Sequence, residues 1–156
     1  MQTHELDELD IKLLKALQND STMTNQSLSQ KLHSSPATCL RRISRLKSLG
    51  FIKKEVMLLN PNMFPESVKA IVEITLEKQT AEAISNIEKV LIKEQAVKQC
   101  YRVAANSDIV IVIDVPMMSD YHDFVQRVLS SHYHVRNIRA LFITHQSKFD
   151  TAIPIK

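Results

Sequence analysis

The chain has one glycine, two cysteines and no tryptophan among its 156 residues. A single glycine, Gly50, excludes the glycine-rich loops that cradle phosphates in nucleotide-binding proteins. Cys39 and Cys100 lie in separate segments, so we expect free thiols in a reducing compartment. No apolar run approaches the ~18 residues that span a bilayer, and the N-terminus lacks the pattern of a secretory signal. These absences predict a cytoplasmic protein that is neither secreted nor embedded in a membrane.

The positive charge of the chain is concentrated near its beginning. Residues 1–60 hold nine Lys and Arg against six Asp and Glu, whereas residues 61–156 hold eleven of each kind. The segment 41–54 alone contains six cations and no acid. A basic segment joined to a neutral remainder is typical of a nucleic-acid-binding module attached to a partner domain.

The segment from Ser35 to Gly50 has the pattern of a basic amphipathic helix. Ser34 or Ser35 can cap its start, Pro36 suits the first helical position, and Gly50 suits the end. Three-residue spacing predicts an apolar stripe formed by Leu40, Ile43, Leu46 and Leu49. The opposite face is small, polar and basic, with Arg42 at its flank: Ala37, Thr38, Arg41, Arg45 and Ser48. Such a face fits a DNA major groove, where small residues permit close approach and arginines reach phosphates or guanine edges.

Two shorter helices are predicted before this basic helix. Asp7 can cap the first, and Thr24 can cap a second that runs through Leu32. With a tight turn at 33–35, the three helices predict a helix-turn-helix unit with a supporting helix in front. The following segment, 51–59, is strand-like and carries Lys53 and Lys54, so it is either a wing beside the DNA backbone or a connecting strand.

A second domain is predicted after the proline- and asparagine-rich segment 60–65, which divides the chain into domains 1–60 and 61–156. Strands are expected at 68–76, 97–103, 109–113 and 138–144, with helices at 80–91 and from a cap at Ser119. The order strand, helix, strand, strand, helix, strand predicts a ferredoxin-like βαββαβ sandwich, so the fold class is α+β. Helices cover one face of such a sheet, and a second copy of the chain is the simplest cover for the other, which predicts a homo-dimer.

Two further groups of residues were weighed as chemical sites. His132 and His134 carry neighbouring imidazoles, but without convergent cysteines or carboxylates they do not predict a zinc site. Cys39, near the start of the basic helix, is either a small packing residue or a thiol activated by the helix terminus; packing is favoured. The sequence therefore predicts no metal, no cofactor and no catalytic residue.

Motifs across nearly the whole chain carry a family resemblance. They are Leu6-Asp7…Asp10…Leu13-Leu14, Ser35-Pro36…Cys39-Leu40-Arg41-Arg42-Ile43…Gly50-Phe51-Ile52, Val72-Glu73-Ile74-Thr75-Leu76, Asp108, Asp120-Tyr121…Phe124 and Ile153-Pro154. In their order and spacing the chain resembles the leucine-responsive regulatory protein (Lrp/AsnC) family of transcription regulators. The resemblance implies a winged helix-turn-helix, a ligand-sensing domain, dimers that assemble into tetramers or octamers, and amino acids as effectors.

The resemblance also implies where an effector would bind, between dimers near the loop after the second strand. That loop is Ala105, Asn106, Ser107 and Asp108. Ala105 and His134 stand where the family has glycines, so we expect the methyl of Ala105 to narrow the loop and Asn106 to take a left-handed conformation. Asp108 either receives an α-amino group or bonds backbone amides at a strand start. An apolar wall is expected from Met118, Leu141 and Phe142.

The sequence thus predicts a regulator that binds double-stranded DNA and responds to an amino acid or a related small molecule. The residues predicted to contact DNA are Ser35, Pro36, Ala37, Thr38, Arg41, Arg42, Arg45, Lys53 and Lys54. The alternative is a metabolic sensor or enzyme-regulatory subunit whose second domain binds a small molecule and whose basic N-terminus binds a protein. Neither function is enzymatic.

Overall fold

The computed structural model describes residues 5–130 and 134–155, which divide into two compact units. The first unit combines the residues up to 59 with those from 148 onward, and the second unit contains residues 60–147. The sequence predicts that residues 148–155 belong with the second domain, whereas the structure groups them with the first unit. This tail segment (residues 148–155) packs with the first unit because the Gln18 carboxamide both donates to and accepts from the backbone of Ile153, each at 3.1 Å.

The first unit contains three helices in its described part: α1 (Glu8–Asn19), α2 (Asn25–Leu32) and α3 (Pro36–Ser48). Their predicted caps are confirmed, since the side chains of Asp7, Thr24 and Ser35 each accept a hydrogen bond from the backbone three residues later. These bonds satisfy amides that have no partner inside the helix. The helices enclose a small core of Leu13, Ala16, Leu28 and Cys39.

Helix α3 buries a different stripe from the predicted one. Cys39 and Leu46 are fully buried and Ile43 partly so, whereas Leu40 is 55% exposed. The spacing of four and then three residues follows the 3.6-residue turn, while repeated three-residue spacing drifts around the helix and leaves Leu40 outside. Gly50, at φ 81°, ends the helix as predicted, and the Phe51 N–H then bonds the carbonyl of Leu46 at 3.0 Å.

The segment after α3 differs from its prediction as well. No strand forms between residues 51 and 59 of the described chain. Its apolar run, residues 56–59, lies exposed. The segment therefore lacks, within one chain, the strand that its composition predicts, and its role as a wing or as a connection between domains stays a prediction.

The second unit is the predicted ferredoxin-like sandwich, which confirms the α+β class. A short 3₁₀ turn (Pro61–Met63) leads into β1 (Val68–Leu76), α4 (Ala81–Leu91), β2 (Val97–Arg102), β3 (Ile109–Val115), α5 (Met118–Phe124) with a wider turn at Val125–Ser130, and β4 (Val135–Phe142). In the described chain these strands form one antiparallel sheet in the order β2-β3-β1-β4.

Several boundaries in this unit differ from prediction, since β3 continues to Val115 instead of ending at 113 and β4 ends at Phe142 instead of 144. α5 begins at Met118, not after a cap at Ser119, because the Asp120 carboxylate accepts the Met117 N–H at 2.9 Å and sets the helix start. β4 begins at Val135, three residues before the predicted start, where an irregularity beside Leu76 lets it pair with the end of β1.

The two faces of the sheet carry different residues. One face, with α4 and α5, forms the core from alternate residues such as Val72, Ile74 and Ile111, all fully buried. The other face mixes apolar side chains with charged ones: Ile71, Val110, Val112, Leu141, Lys69, Glu73, Asp114 and Arg139. Its charges pair across strands, Lys69 with Asp114 at 3.9 Å and Arg139 with Glu73 at 3.7 Å.

Candidate nucleic-acid interface and effector region

The outward face of α3 consists of small, polar, apolar and cationic side chains. Its exposed members are Pro36, Ala37, Leu40, Arg41, Ser44 and Lys47. Ala37, Arg41 and Ser44 follow one another at spacings of four and three, so they project from one side of the helix. Ser44 was absent from the predicted contact residues, although its spacing from Arg41 is the signal that identifies it. This face is exposed and carries the cations Arg41 and Lys47.

A buried carboxylate holds α3 against α1. Asp10 is 1% exposed, and its Oδ1 accepts from Arg42 Nη1 at 3.0 Å while its Oδ2 accepts from Arg45 Nη1 at 3.0 Å. Arg42 also donates to Asp7, the residue that caps α1. The hydrogen bonds that Arg42 donates to Asp7 and to Asp10 raise the pKa of Arg42, with the larger effect from Asp7, and the bond from Arg42 lowers the pKa of Asp7. Two of the predicted DNA-contacting arginines therefore have an intramolecular carboxylate partner.

The burial of Asp10 between two arginines was not predicted. The acid lies three residues before Leu13 and so on the side of α1 that faces the core, which is the signal that could have identified it. Because its partners are 32 and 35 residues away along the chain, no local pattern connects them.

The remaining predicted DNA-contacting residues flank the outward face of α3. Ser35 caps the helix and its hydroxyl also bonds the Thr38 hydroxyl at 2.9 Å, so both side chains have a structural role at the helix start. Lys53 and Lys54 are exposed in the segment without a strand. That segment is tied back to α3 by an ion pair of 2.6 Å between Lys47 and Glu55.

The predicted effector loop is built around Asp108, which is 8% exposed. Its Oδ2 accepts the Leu76 N–H at 2.8 Å, and its own N–H donates to the Ile74 carbonyl at 2.9 Å. Of the two roles predicted for Asp108, the structure therefore contains the bond to a backbone amide at the strand end. Ser107 is also buried, while Ala105 and Asn106 are exposed.

The backbone of this loop corrects one expectation. Among residues 5–130 and 134–155, the side-chain-bearing residues at positive φ are His33 and His134, so Asn106 does not take the expected left-handed conformation. His134, at φ 48°, keeps a left-handed backbone where the family resemblance places a glycine.

One chain does not bring the whole predicted effector set together. Phe142 pairs with Ala70 on β1, and its ring centroid lies 5.1 Å from that of Tyr121. The Asp108 N–H, by contrast, bonds the carbonyl of Ile74. Ala70 and Ile74 are four residues apart on β1, which is about 13 Å at the rise of a strand. Met118, just after β3, lies at the same end as Phe142, since Val115 pairs with Val68. A site that uses both groups needs residues from a second chain.

Of the other two candidate groups, the structure describes Cys39 and, from the histidine pair, His134 alone. Cys39 is fully buried in the core of the first unit, as its packing interpretation predicts. His132 and Tyr133 lie outside the described residues. Among the helices of the described chain, none is long and apolar enough to cross a membrane.

Two protein families match the chain, in separate segments. The family described as "Winged helix-turn-helix DNA-binding" matches residues 6–53, and the family described as "Lrp/AsnC ligand binding domain" matches residues 69–153. The first match contains α1, α2 and α3, and the second contains β2, β3, β4 and all of β1 after its first residue.

Curated relatives and solved structures match over nearly the full length. An HTH-type transcriptional regulator of Haemophilus influenzae is 33% identical over 98% of this chain and 90% of its own. The leucine-responsive regulatory protein of Escherichia coli K12 is 30% identical, over 97% of this chain and 93% of its own. An AsnC family transcriptional regulator of Agrobacterium tumefaciens has a TM-score of 0.85 at 29% identity, covering 96% and 97% of the two chains. A transcriptional regulator of Neisseria meningitidis, solved as an L-Met complex, has a TM-score of 0.85 at 27% identity with the same coverage.

Proposed function

The chain belongs to the Lrp/AsnC family of transcriptional regulators, as its resemblance predicts, and from this premise we propose that it reads operators with α3 and responds to a free amino acid bound by its second unit. Operator reading and effector binding are separate proposals, because they involve different units. The observation that carries the first is the outward face of α3, exposed and basic on a helix whose other side is buried.

Operator reading is assigned to Arg41 and its neighbours. The Arg41 side chain is exposed on the outward face, where its guanidinium can bond the N7 and O6 atoms of a guanine. Arg42 and Arg45 stand at the flank of α3, where their bonds to Asp10 orient them, so they contact phosphates on one side of the groove. Lys53 and Lys54 contact phosphates beyond the end of the helix.

The test of operator reading is selection of bound duplexes from a random pool by the full-length chain. Arg41→Ala is expected to weaken binding to the selected duplex by about 1–3 kcal/mol and to remove the base preference at one position of the operator. Lys53→Ala should weaken binding to all duplexes alike. Unchanged operator affinity in the Arg41 variant would contradict the assignment.

Salt dependence separates this function from the alternative of a protein-binding sensor. Phosphate contacts release counterions, so affinity for duplex DNA should fall linearly with the logarithm of salt concentration. A chain that selects no duplex at any salt concentration would contradict the proposal.

Amino-acid binding is proposed at the loop 105–108, with the apolar wall supplied by Met118 and Phe142 of a second chain, whereas Leu141 lies on the opposite, uncovered face of the sheet. The support is the match of residues 69–153 to a ligand-binding domain, together with the L-Met complex of a neighbour. Asp108 has one carboxylate oxygen on Leu76, and the other can accept from an α-amino group. The methyl of Ala105 favours a small or weakly bound effector.

Calorimetry with the twenty amino acids, on the natural chain and on Ala105→Gly, tests this site. Binding by the natural chain that Asp108→Asn abolishes would support the assignment. Tight binding that Asp108→Asn leaves unchanged would place the effector elsewhere. Binding by the glycine variant alone would mean that this chain lacks the response.

A homo-oligomer is proposed through the uncovered face of the sheet. Ile71, Val112 and Leu141 form a continuous apolar row across neighbouring strands, because they pair in register. Paired charges border this row, which suits a face that meets its own copy. Light scattering on the full-length chain should give at least twice the chain mass, and Val112→Lys should lower it. A monomer at micromolar concentration would contradict the proposal.

A further inference from the structure

Leu40 lies on the outward face of α3 and outside the core. It is 55% exposed, while Cys39 before it and Leu46 after it are fully buried. Ala37 lies three residues before Leu40 and Ser44 four residues after, so the three side chains share one side of the helix. Arg41 is exposed directly beside them. The outward face therefore presents one large apolar side chain among polar and cationic ones.

The charge around Leu40 defines the partner that fits it. Six cations and no acid occur between residues 41 and 54, which is complementary to a phosphate backbone. Within a major groove, thymine is the base whose edge carries an apolar group, its C5-methyl. Leu40 is the fifth residue of α3, in the N-terminal half that approaches base edges in helix-turn-helix complexes.

We propose that Leu40 contacts the C5-methyl group of a thymine in the operator and makes the protein select thymine at that position. This inference rests on the proposed function, because it requires that α3 enter the major groove. Ala37, one turn earlier, has too short a side chain to keep Leu40 away from the base. Arg41 reaches a guanine close to the thymine. Sequence selection thus involves an apolar contact as well as a bidentate hydrogen bond.

The bonds of Asp10 make this assignment sharper. Since Arg42 and Arg45 are oriented toward α1, the outward face that remains for bases consists of Ala37, Leu40, Arg41 and Ser44. Deoxyuridine differs from thymidine only by the missing methyl group and keeps the same base pairing, so it probes the apolar contact without altering hydrogen bonds or charge.

The experiment uses the full-length chain and its selected operator. Each thymine is replaced by deoxyuridine in turn, and the affinities of the natural chain, Leu40→Ala and Leu58→Ala are measured. Removal of one methyl group at one position of each half-site should weaken binding by the natural chain about fourfold. Leu40→Ala should bind that operator more weakly but no longer respond to the methyl. Leu58, 61% exposed in the segment after α3, is a matched control that should keep the response.

Each outcome distinguishes this inference from the proposed function. A natural chain that selects an operator yet responds to no thymine methyl overturns the inference alone, as does a Leu40→Ala chain that keeps the full response. A chain that selects no duplex overturns the proposed function and the inference together. Thermal melting of Leu40→Ala should match the natural chain, since the side chain is exposed.

Discussion

The two units of this protein are each stabilised internally, and by different kinds of interaction. Among the described residues, the core cluster of the second unit contains fourteen buried residues, and the fully buried cluster of the first contains four. Beside its small core the first unit buries a carboxylate, Asp10, with two arginines. The sandwich is stabilised mainly by apolar area, whereas the DNA-binding unit relies on charge-assisted hydrogen bonds as well.

The difference follows from what each unit exposes. A short helix that offers one side to DNA has only the other side for packing, so α3 contributes few apolar groups to the core. The hydrogen bonds that Arg42 and Arg45 donate to Asp10 then define the rotation of α3 about its axis. Apolar packing alone would define this rotation less strictly. We expect the first unit to open at lower free energy than the second, and hydrogen exchange on the intact chain measures both.

The largest expected effect lies in the second unit. Ile111 is fully buried in the middle of the sheet, so Ile111→Ala should lower the free energy of unfolding by about 2–5 kcal/mol. Urea denaturation, with exchange followed in residues 60–147, measures this loss. Ile92, which is 68% exposed just after α4, is the control, and an equal loss in Ile92→Ala would contradict the placement of the core.

A smaller loss is expected when the carboxylate of the first unit is neutralised. Asp10→Asn keeps the shape but removes the charge that accepts from Arg42 and Arg45, so unfolding should become easier by about 1.5–3 kcal/mol. Glu8→Gln is the control, because Glu8 is exposed and pairs with Lys12 alone. Equal urea midpoints for the two variants would show that the buried carboxylate does not stabilise α3.

Gly50 tests the backbone of the first unit. A Cβ placed there would meet no atom within 4 Å, yet the residue has φ 81°, so the effect of Gly50→Ala is purely conformational. The expected loss is about 1–2 kcal/mol. The converse change in the second unit is His134→Gly, which should raise stability by relieving φ 48°. Thermal melting that orders these variants the other way would contradict the assigned conformations.

The tail segment is expected to contribute less. Gln18→Ala removes two exposed hydrogen bonds to Ile153 and should lower the stability of the first unit by about 1 kcal/mol. Gln30→Ala, on the exposed side of α2, is the matched control for helix propensity. Faster exchange in residues 148–155 of the Gln18 variant alone is the expected result, and equal exchange in both variants would contradict it.

The smallest expected effect is a loss of stability of the first unit at low pH. The bond from Arg42 lowers the pKa of Asp7 in the folded chain, so its stabilising contribution is present above the unfolded value of about 3.9 and is lost as pH falls through the folded value. The first unit should therefore lose stability below about pH 4, less steeply in Asp7→Asn. In the second unit, Arg127 likewise lowers the pKa of Glu94, and Glu94→Gln is the matched variant. Identical acid profiles for Asp7→Asn and the natural chain would contradict this account.

Local patterns predicted most of this architecture. The caps Asp7, Thr24 and Ser35 were identifiable because each side chain bonds a backbone N–H only three residues later in the chain. The sheet order was predictable because alternation and connection lengths leave few topologies.

What the sequence did not predict depends on contacts distant in the chain or on small angular differences. Asp10 meets its arginines more than thirty residues later, and the tail segment meets Gln18 across 135 positions. Leu40 was misplaced because three-residue and 3.6-residue periods diverge within two turns. The start of β4 was misplaced because its first residues pair with the end of β1 past an irregularity beside Leu76, which no local pattern shows.

The tail segment also determines when the first unit completes its contacts during translation. Ile153 is translated 135 residues after Gln18, on the order of ten seconds later at typical rates. Helices α1 to α3 are translated before the sheet, but their unit gains the bonds from Ile153 only after residues 60–147 have been translated. A chain that terminates anywhere between residues 60 and 147 contains every helix of the DNA-binding unit and still lacks the contact that completes it.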